Sequence, residues 1–350
     1  MKILIEAMHG MGDVVCMLPM MKEVQINYPN AKLTVLINNS YIKDILYCSG
    51  LNIHSVRVFN VHTKRIDTII QCLRLRREKF DLAIASAITP VKKSKLFMRV
   101  INAKKTVGIQ FSLGKHFDTL CDKYHFVQAN MLALQQLNLK HKSTDISPKL
   151  YARNEDVKKF TQDHYFEKSL PVVGICVGRG YFSYTDESRK HTVYTKGWGM
   201  FAQHVKNMKE LAELCLAQGW IVILMGGSDE KEISDKIIVN LSTNPRLIDV
   251  VGKTTVAESI AIASICRVQV GMDTGLQHVA DAVGVQTVSV FGPTNPKTQG
   301  AYSSKGHFVE SYRSCKYCYG TSEYVNCTER KCLESISVKM VFEQVKALVF

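Results

Sequence analysis

A turn near the C-terminal end of the chain carries residues suited to binding an anion. Segment 268–296 reads as an apolar strand, the turn Asp273-Thr274-Gly275, a short helix containing His278, and a second apolar strand. The connection is too long for a hairpin and fits a βαβ unit with parallel strands. Ligands of open α/β sheets bind at the carboxyl ends of strands, and helix N-termini favour phosphate. The spacing alone equally allows Asp273 to be a helix cap and His278 a surface residue.

A carboxylate after the first predicted strand is a second candidate for chemistry. Segment 2–7 is an apolar run, followed by a turn with Gly12 and Asp13 and then a helix to about residue 28. The glycine pattern is not G-x-G-x-x-G, so the dinucleotide-binding fingerprint is absent. Asp13 could serve as a general base if a substrate hydroxyl came within hydrogen-bond reach. The same residue could also be an N-cap.

Four of the eleven cysteines lie in one short segment, namely Cys315, Cys318, Cys327 and Cys332. Four thiolates suit a tetrahedral zinc site, or iron. Such a metal would be structural, because four thiolates leave no open coordination position for catalysis. Reduced thiols or a disulfide pair are the alternative, and the other seven cysteines read as buried or free thiols.

The elements that must position these residues alternate between strands and helices. In the second half, strands near residues 172, 221, 248, 268 and 287 are separated by helical segments. This alternation is typical of doubly wound parallel sheets. A change of texture around 143–171 divides the chain, so we predict an α/β protein with Rossmann-like domains at 1–165 and 166–335 and a last helix at 336–350.

Positive charge is concentrated in the first half. The chain has a formal net charge of +14, and segment 64–105 alone has twelve Lys/Arg against three Asp/Glu. Segment 65–79 reads as a helix, with Ile66, Ile69, Ile70 and Leu73 at apolar positions of helical period. The charge indicates an anionic partner, such as nucleic acid, an acidic membrane surface or an anionic glycolipid. Solvated helix faces are the alternative.

Composition bounds the class of protein. With 350 residues and 46% hydrophobic residues, the chain can form two full-sized cores. No apolar run approaches the roughly 18 residues of a membrane span, and the N-terminus lacks the long apolar core of a signal peptide. We therefore expect a cytoplasmic protein, and its basic first half suggests a peripheral contact with the inner membrane.

The candidate motifs resemble those of one enzyme family. The run D-T-G-x-x-H-x-A-x-A-x-G from Asp273, followed by F-G-P-T, resembles the donor-binding segment of glycosyltransferase family 9, the ADP-heptose:lipopolysaccharide heptosyltransferases. Gly12-Asp13, Lys196-x-Trp198 and the glycine turn 226–230 also resemble the family, in the same order. The resemblance implies a GT-B fold with two Rossmann-like domains facing each other across a cleft. It also implies that the final helix crosses back onto the first domain.

The resemblance also implies roles for the candidate residues. It implies an inverting transfer of heptose from ADP-heptose, with Asp13 as the general base and no catalytic metal. Together with the glycine turn after the strand near 172, it suggests donor-binding residues Gly178, Lys196, Glu230, Asp273, Thr274, Gly275 and His278. Three residues of the basic region, Lys92, Lys93 and Arg99, are expected to bind the acceptor.

Several alternatives remain open at the level of sequence. The acceptor can be a lipopolysaccharide core or a related anionic glycolipid, or it can be a protein. A nucleotide-sugar epimerase has a similar architecture but needs no acceptor. A zinc-containing nucleic-acid-binding protein would account for the charge and the cysteines but leaves the run from Asp273 unexplained, so we expect no nucleic-acid partner.

Overall fold

The computed structural model describes residues 1–59, 65–120, 123–164, 166–167, 169–178, 198, 201–319, 321–327 and 331–350. These residues form two compact units, Met1–Tyr151 and Ala152–Phe350. Each unit contains one parallel sheet covered by helices. Among the described residues, no helix combines the length and the hydropathy needed to cross a membrane.

Unit 1 begins with the predicted strand and helix. Its elements in chain order are β1 Lys2–Glu6, α1 Met11–Asn27, β2 Lys32–Ile37, α2 Ile42–Tyr47, β3 Ser55–Val58, α3 Arg65–Arg77, β4 Leu82–Ile84, α4 Val91–Ile101, β5 Lys105–Val107, α5 Ile109–Ser112 and α6 Phe126–Leu132. Pro19 lies inside α1 without ending it. Strand β5 stops at Val107, and the short helix α5 follows it.

The five strands of unit 1 are parallel and lie in the order β3-β2-β1-β4-β5. The chain winds outward from β1 to β3 and then returns to place β4 beside β1. The point where the order reverses therefore lies between β1 and β4. In sheets of this kind the crevice outside the carboxyl ends of such strands is the usual ligand site.

Helix α3 forms where predicted, but three of its predicted apolar-face residues face outward, and the side chain of Ile66 lies outside the described part of the helix. Among the described side chains of the helix, Cys72 and Leu75 are buried in the core. Ile69, Ile70 and Leu73 are instead exposed. Periodicity identified the helix correctly but does not report which of its faces meets the sheet.

Unit 2 has more helices and a larger sheet. Its elements are α7 Asn154–Asp163, β6 Val172–Cys176, α8 Phe201–Ala217, β7 Ile221–Met225, α9 Lys231–Ile238, β8 Leu247–Asp249, α10 Val256–Ile265, β9 Val268–Met272, α11 Gly275–Ala282, β10 Gln286–Phe291, α12 Pro296–Gln299, β11 Gly306–Glu310, α13 Ser322–Asn326, α14 Lys331–Glu334 and α15 Val338–Val349. The strands are parallel, in the order β11-β10-β9-β6-β7-β8. The order reverses between β6 and β9.

The first and last helices of unit 2 both pack within this unit. Its first element, α7, packs against α10, and the division of the chain follows Tyr151, where the sequence analysis expected residue 165. The last helix, α15, is capped by Ser337 and packs against α8 and strands β9 to β11. Val341, Phe342 and Val345 bury its apolar face in the core of unit 2. The expectation that this helix also crosses onto the first domain stays a prediction.

Candidate functional site

Glu230 lies in a tight pocket made by glycines. Strand β7 ends at Met225, and the turn Gly226-Gly227 leads into a short 3-10 helix that ends at Glu230. The Glu230 carboxylate turns back and accepts a hydrogen bond from the Gly227 N–H at 2.7 Å. A Cβ added to Gly178 would lie 2.1 Å from Glu230 Oε1, and one added to Gly226 would lie 2.5 Å from Oε2. Glycine is therefore required at both positions for this carboxylate to occupy its place.

The environment of Glu230 disfavours its ionised form unless hydrogen-bond donors stabilise it. Burial raises its pKa to about 7, the Gly227 hydrogen bond opposes that shift, and the charge of Asp229 adds to it. Hydroxyl donors of a ligand would stabilise the ionised form. The pocket is therefore suited to accept hydrogen bonds from a pair of neighbouring hydroxyls.

The turn after β9 lies at the same carboxyl edge of the sheet as Glu230. Thr274 is the N-cap residue of α11, and no side-chain cap bond is formed there. Its hydroxyl oxygen is shielded from solvent and has no hydrogen-bond partner among the described residues. Asp273 and Gly275 flank it, and the half-buried His278 lies in the first turn of α11. Unpaired N–H groups and a buried hydroxyl at a helix N-terminus favour phosphate oxygens.

Two buried glutamines fix α11 in position, and sequence reasoning missed both. The Gln269 amide on β9 donates to the Leu276 carbonyl at 2.7 Å. The Gln277 amide donates to the Val288 carbonyl of β10 at 3.0 Å. Both residues are fully or almost fully buried. The available signal was Gln269 itself, a polar residue inside an otherwise apolar strand, because such residues need a specific partner.

Lys196 lies outside the described residues, but its neighbour Trp198 does not. The Trp198 indole is buried and donates to the Ile336 carbonyl at 2.9 Å. The Trp198 backbone N–H donates to His204 Nδ1 at 3.0 Å, and His204 Nε2 donates to the Val177 carbonyl at 2.9 Å. This chain of bonds links the segment after Lys196 to the end of β6, next to Gly178.

The cysteine segment packs on the turn Gly292-Pro293 that follows β10. The Gly292 carbonyl accepts from Tyr317 N–H at 3.1 Å, and the Pro293 carbonyl accepts from Tyr319 N–H at 2.9 Å. A Cβ at Gly292 would approach the Cys332 sulfur to 3.1 Å. The segment therefore supports the turn at the end of β10.

The thiols of the cysteine segment affect the pKa of Cys332. Cys332 is buried, Cys315 is exposed, and Cys318 and Cys327 are half-buried. Burial, with a smaller contribution from the other three thiols, raises the pKa of the Cys332 thiol to about 11. Within the described part of the chain, no three His, Cys, Asp or Glu side chains lie close enough to share a metal ion. The metal site expected at these cysteines therefore stays a prediction.

Asp13 lies in the first turn of α1 in unit 1. Its Oδ2 accepts a hydrogen bond from the Gly10 N–H at 3.1 Å, and Gly10 is the N-cap residue of the helix. The carboxylate therefore does stabilise the helix N-terminus, as the capping interpretation requires. It remains partly accessible, so capping leaves it open to a substrate.

A buried network beside Asp13 was not anticipated from the sequence. Glu6 ends β1 and is 1% exposed, and its carboxylate accepts from the Ser86 N–H at 3.1 Å and the Thr89 hydroxyl at 2.8 Å. His9 Nε2 lies 3.0 Å from the same hydroxyl and 3.4 Å from Glu6 Oε1. These residues sit at the reversal between β1 and β4. A carboxylate at the end of a buried strand was the signal that could have identified them.

The network shifts the pKa of the His9 ring. Burial lowers the pKa of the ring, but the hydrogen bond to Glu6 and the charges of Glu6 and Asp13 together outweigh burial, so the net pKa is raised. Asp118 also belongs to this neighbourhood. Burial raises its pKa, His116 at 3.5 Å opposes that, and the Asp13 charge raises it further. The edge of unit 1 thus combines a histidine ring of raised pKa with several carboxyl groups.

The expected acceptor-binding residues lie together on α4. Lys92, Lys93 and Arg99 are all exposed on this helix, and Lys95 accompanies them. The nearby Lys104 is paired with Asp81 at 2.7 Å. The helix begins just after β4, so Lys92 and Lys93 lie at the same sheet edge as Thr89.

Comparisons with known proteins agree with this geometry. The model of glycosyltransferase family 9 (heptosyltransferase) matches residues 72–328. Lipooligosaccharide heptosyltransferase 2 of Haemophilus influenzae is 23% identical over 327 residues, which is 88% of each chain. The glycosyl transferase family 9 structure from Veillonella parvula matches with a TM-score of 0.75 and 19% identity, covering 99% of this chain and 97% of that one. The E. coli ADP-heptose lps heptosyltransferase II matches with a TM-score of 0.74 and 18% identity, covering 100% and 98%.

The structural matches confirm the predicted α/β architecture, because two parallel sheets of the GT-B type recur in both solved proteins. The family assignment favours a transferase over the epimerase and nucleic-acid-binding alternatives. Because the family model spans well over half of the sequence, this chain belongs to glycosyltransferase family 9, the heptosyltransferases, and is a glycosyltransferase.

Proposed function

We propose that this protein transfers a heptose from ADP-heptose to a lipopolysaccharide core acceptor, with inversion at the anomeric carbon. The observation that carries the proposal is the Glu230 carboxylate, held between Gly178 and Gly226 at the sheet edge of unit 2. The relatives suggest the sugar and the acceptor, because one is a lipooligosaccharide heptosyltransferase and another an ADP-heptose lps heptosyltransferase.

On the donor side, each proposed contact matches a chemical property of the residue. Glu230 accepts hydrogen bonds from the ribose hydroxyls of ADP. The free Thr274 hydroxyl and the N–H groups that begin α11 donate to the diphosphate, and His278 adds a further donor. Asp273 would repel a diphosphate, so we assign it to a sugar hydroxyl or to backbone N–H groups. Lys196, in the segment before Trp198, completes the proposed set as a cation.

On the acceptor side, Asp13 acts as the general base. It removes the proton of the acceptor hydroxyl, whose oxygen forms a bond to the anomeric carbon as the bond to the diphosphate breaks. The negative charge then resides on ADP, where the proposed donor contacts stabilise it. The proton remains on the Asp13 carboxyl group. Lys92, Lys93 and Arg99 are proposed to hold the anionic groups of the acceptor.

The experiment that tests this function measures ADP release from ADP-heptose with and without a heptose-free lipopolysaccharide core. We expect release that depends on the acceptor, and a loss of about a hundredfold or more in kcat for Asp13→Asn. ADP affinity should be unchanged in that variant, because Asp13 is not part of the donor site. Wild-type transfer by Asp13→Asn would refute the base assignment. Acceptor-independent interconversion of the sugar would refute the transferase.

A protein acceptor is the second candidate, and the same assay distinguishes it. Transfer of label to a polypeptide, with none to the lipopolysaccharide core, would select the protein acceptor. Basic residues on α4 favour the phosphorylated glycolipid, because surface lysines and arginines bind phosphate groups directly.

We further propose that the cysteine segment takes up a structural zinc or iron ion. The mutual effect of the four thiols supports this proposal, although binding would have to draw them closer together. The metal would deprotonate the thiols and fix the segment against Gly292 and Pro293, with no part in the transfer step. Metal analysis of the purified protein tests it, because a stoichiometric metal that survives Cys315→Ser and Cys318→Ser would exclude this site.

A further inference from the structure

The outward face of α3 is unusually apolar for a helix that covers a sheet. Ile69 is 57% exposed, Ile70 is 41% exposed and Leu73 is 47% exposed. The last turn of the helix carries Arg74, Arg76 and Arg77, which are also exposed. Three large apolar side chains and three arginines therefore share the solvent face of one helix.

Helix α4 repeats this combination. It buries Ser94, Met98 and Ile101 on one side. On the opposite side Leu96 is 65% exposed. At 100° per residue, Leu96 lies near the middle of the exposed arc, and the basic residues Lys92, Lys93, Lys95 and Arg99 surround it. There is no acidic residue in Val91–Ile101.

The two exposed faces belong to one surface. Helices α3 and α4 pack against each other on the same face of the sheet, and both contribute to a single core. Beside α3, a groove of about 730 Å³ runs along the edge strand β3, with Phe59 and Leu75 among its apolar residues and Arg57 and Arg74 among its cations. We call the exposed faces of α3 and α4 the α3–α4 surface.

Among the described side chains, the basic groups of the α3–α4 surface outnumber the acidic groups near it. Glu78 lies 3.7 Å from Arg57, and Asp81 is paired with Lys104, so these two carboxylates already face cations outside the surface. The exposed arginines of α3 and the basic residues of α4 would therefore present an anionic partner with a mostly unneutralised surface.

We propose that the α3–α4 surface docks the protein on an anionic phospholipid membrane. Ile69, Ile70, Leu73 and Leu96 would enter the boundary between headgroups and acyl chains, while the lysines and arginines contact lipid phosphates. Exposed apolar groups mixed with basic ones favour this partner over the others. Nucleic acid would use the charge but not the aliphatic side chains. A second copy would bring two positive surfaces together.

This inference goes beyond the transfer reaction and can fail independently of it. The test measures binding of the full chain to vesicles by flotation, with no nucleotide and no acceptor present. One set of vesicles contains phosphatidylglycerol mixed with phosphatidylcholine, and the other contains phosphatidylcholine alone. We expect binding to the anionic vesicles, and weaker binding as salt is added.

Two pairs of variants separate the apolar and the electrostatic contributions. Leu73→Ser/Leu96→Ser should bind anionic vesicles at least about tenfold more weakly, because two leucine side chains no longer leave water. Leu113→Ser is the matched control, since Leu113 is 52% exposed and lies outside α3 and α4. Arg76→Glu/Lys95→Glu should also weaken binding, whereas Lys140→Glu/Lys142→Glu, an equal change of charge at other exposed residues, should have a smaller effect.

The outcomes decide the proposal. Equal binding to both kinds of vesicle, or no binding to either, overturns it. Anionic binding that is unaffected by Leu73→Ser/Leu96→Ser also overturns it, because a purely electrostatic surface would serve another anionic partner. Thermal unfolding and ADP affinity of each variant should match the wild type, which shows that a loss of binding is not a loss of folding.

Discussion

Replacing Glu230 by glutamine should make the protein more stable and less able to bind its donor. In the folded protein burial holds the pKa of Glu230 at about 7, whereas an ordinary glutamate has a value of 4.5. Between these values the folded state therefore binds more protons than the unfolded state. The free energy of unfolding should consequently fall as the pH rises from about 4.5 to about 7.

The size of the effect follows from the two pKa values. The difference between about 7 and 4.5 corresponds to about 3 kcal/mol of unfolding free energy. Glutamine has the same shape, keeps an acceptor for the Gly227 N–H and cannot ionise. We expect Glu230→Gln to stabilise the protein by about 2–3 kcal/mol at about pH 8.5, or about 5–10 °C in Tm, and to have little effect below about pH 5.

The assay is thermal or urea unfolding of both proteins across this pH range, together with ADP titration. ADP affinity should fall about tenfold, because the ionised acceptor for the ribose hydroxyls is lost. Glu232→Gln is the control, since Glu232 is exposed and should change neither property. If wild type and Glu230→Gln lost stability equally between about pH 5 and 8.5, the buried carboxylate would not be the cause and the reasoning would be wrong.

Two further predictions concern neighbouring sites. Gly178→Ala would place a Cβ 2.1 Å from Glu230 Oε1, so ADP affinity should fall about tenfold. If this collision is responsible, Gly178→Ala should cause no further loss of ADP affinity in a Glu230→Ala background. Glu6→Gln should lower the pKa of His9 relative to the wild type, because the Glu6 charge then no longer opposes burial, and NMR titration of the ring measures this. In the wild type the raised pKa of His9 gives stability that is present below pH 6.5 and is lost as the pH rises through the folded value, so an unchanged pH dependence in Glu6→Gln would contradict this account.

Most of the fold could be predicted from the sequence, and the omissions have a common cause. Buried strands such as β6, β7 and β9 are short apolar runs, and the turns that end them contain glycine. Sequence analysis missed β3 and β11, which lie at sheet edges and have mixed polar and apolar residues. An edge strand needs less apolar surface, so its local pattern is weak.

The candidate site could be predicted in part. Asp273, Thr274 and Glu230 could be singled out because each follows a recognisable strand and matches a motif of the family; their roles stay predictions. The Glu6–Thr89 network was missed, because it joins two elements that become neighbours only when β4 returns beside β1. The role of Gly178 could likewise be suspected as a turn but not as the space that admits Glu230.

The sequence by itself determined the alternation of strands and helices and the motif from Asp273 that identifies the family, because these depend on residues close together in the chain. Tertiary structure alone decided which face of α3 meets the core and where α15 packs. It also decided that Glu230 would be buried enough to raise its pKa. The physical reason is that burial and charge depend on what folding brings alongside a residue, and no local pattern records those neighbours.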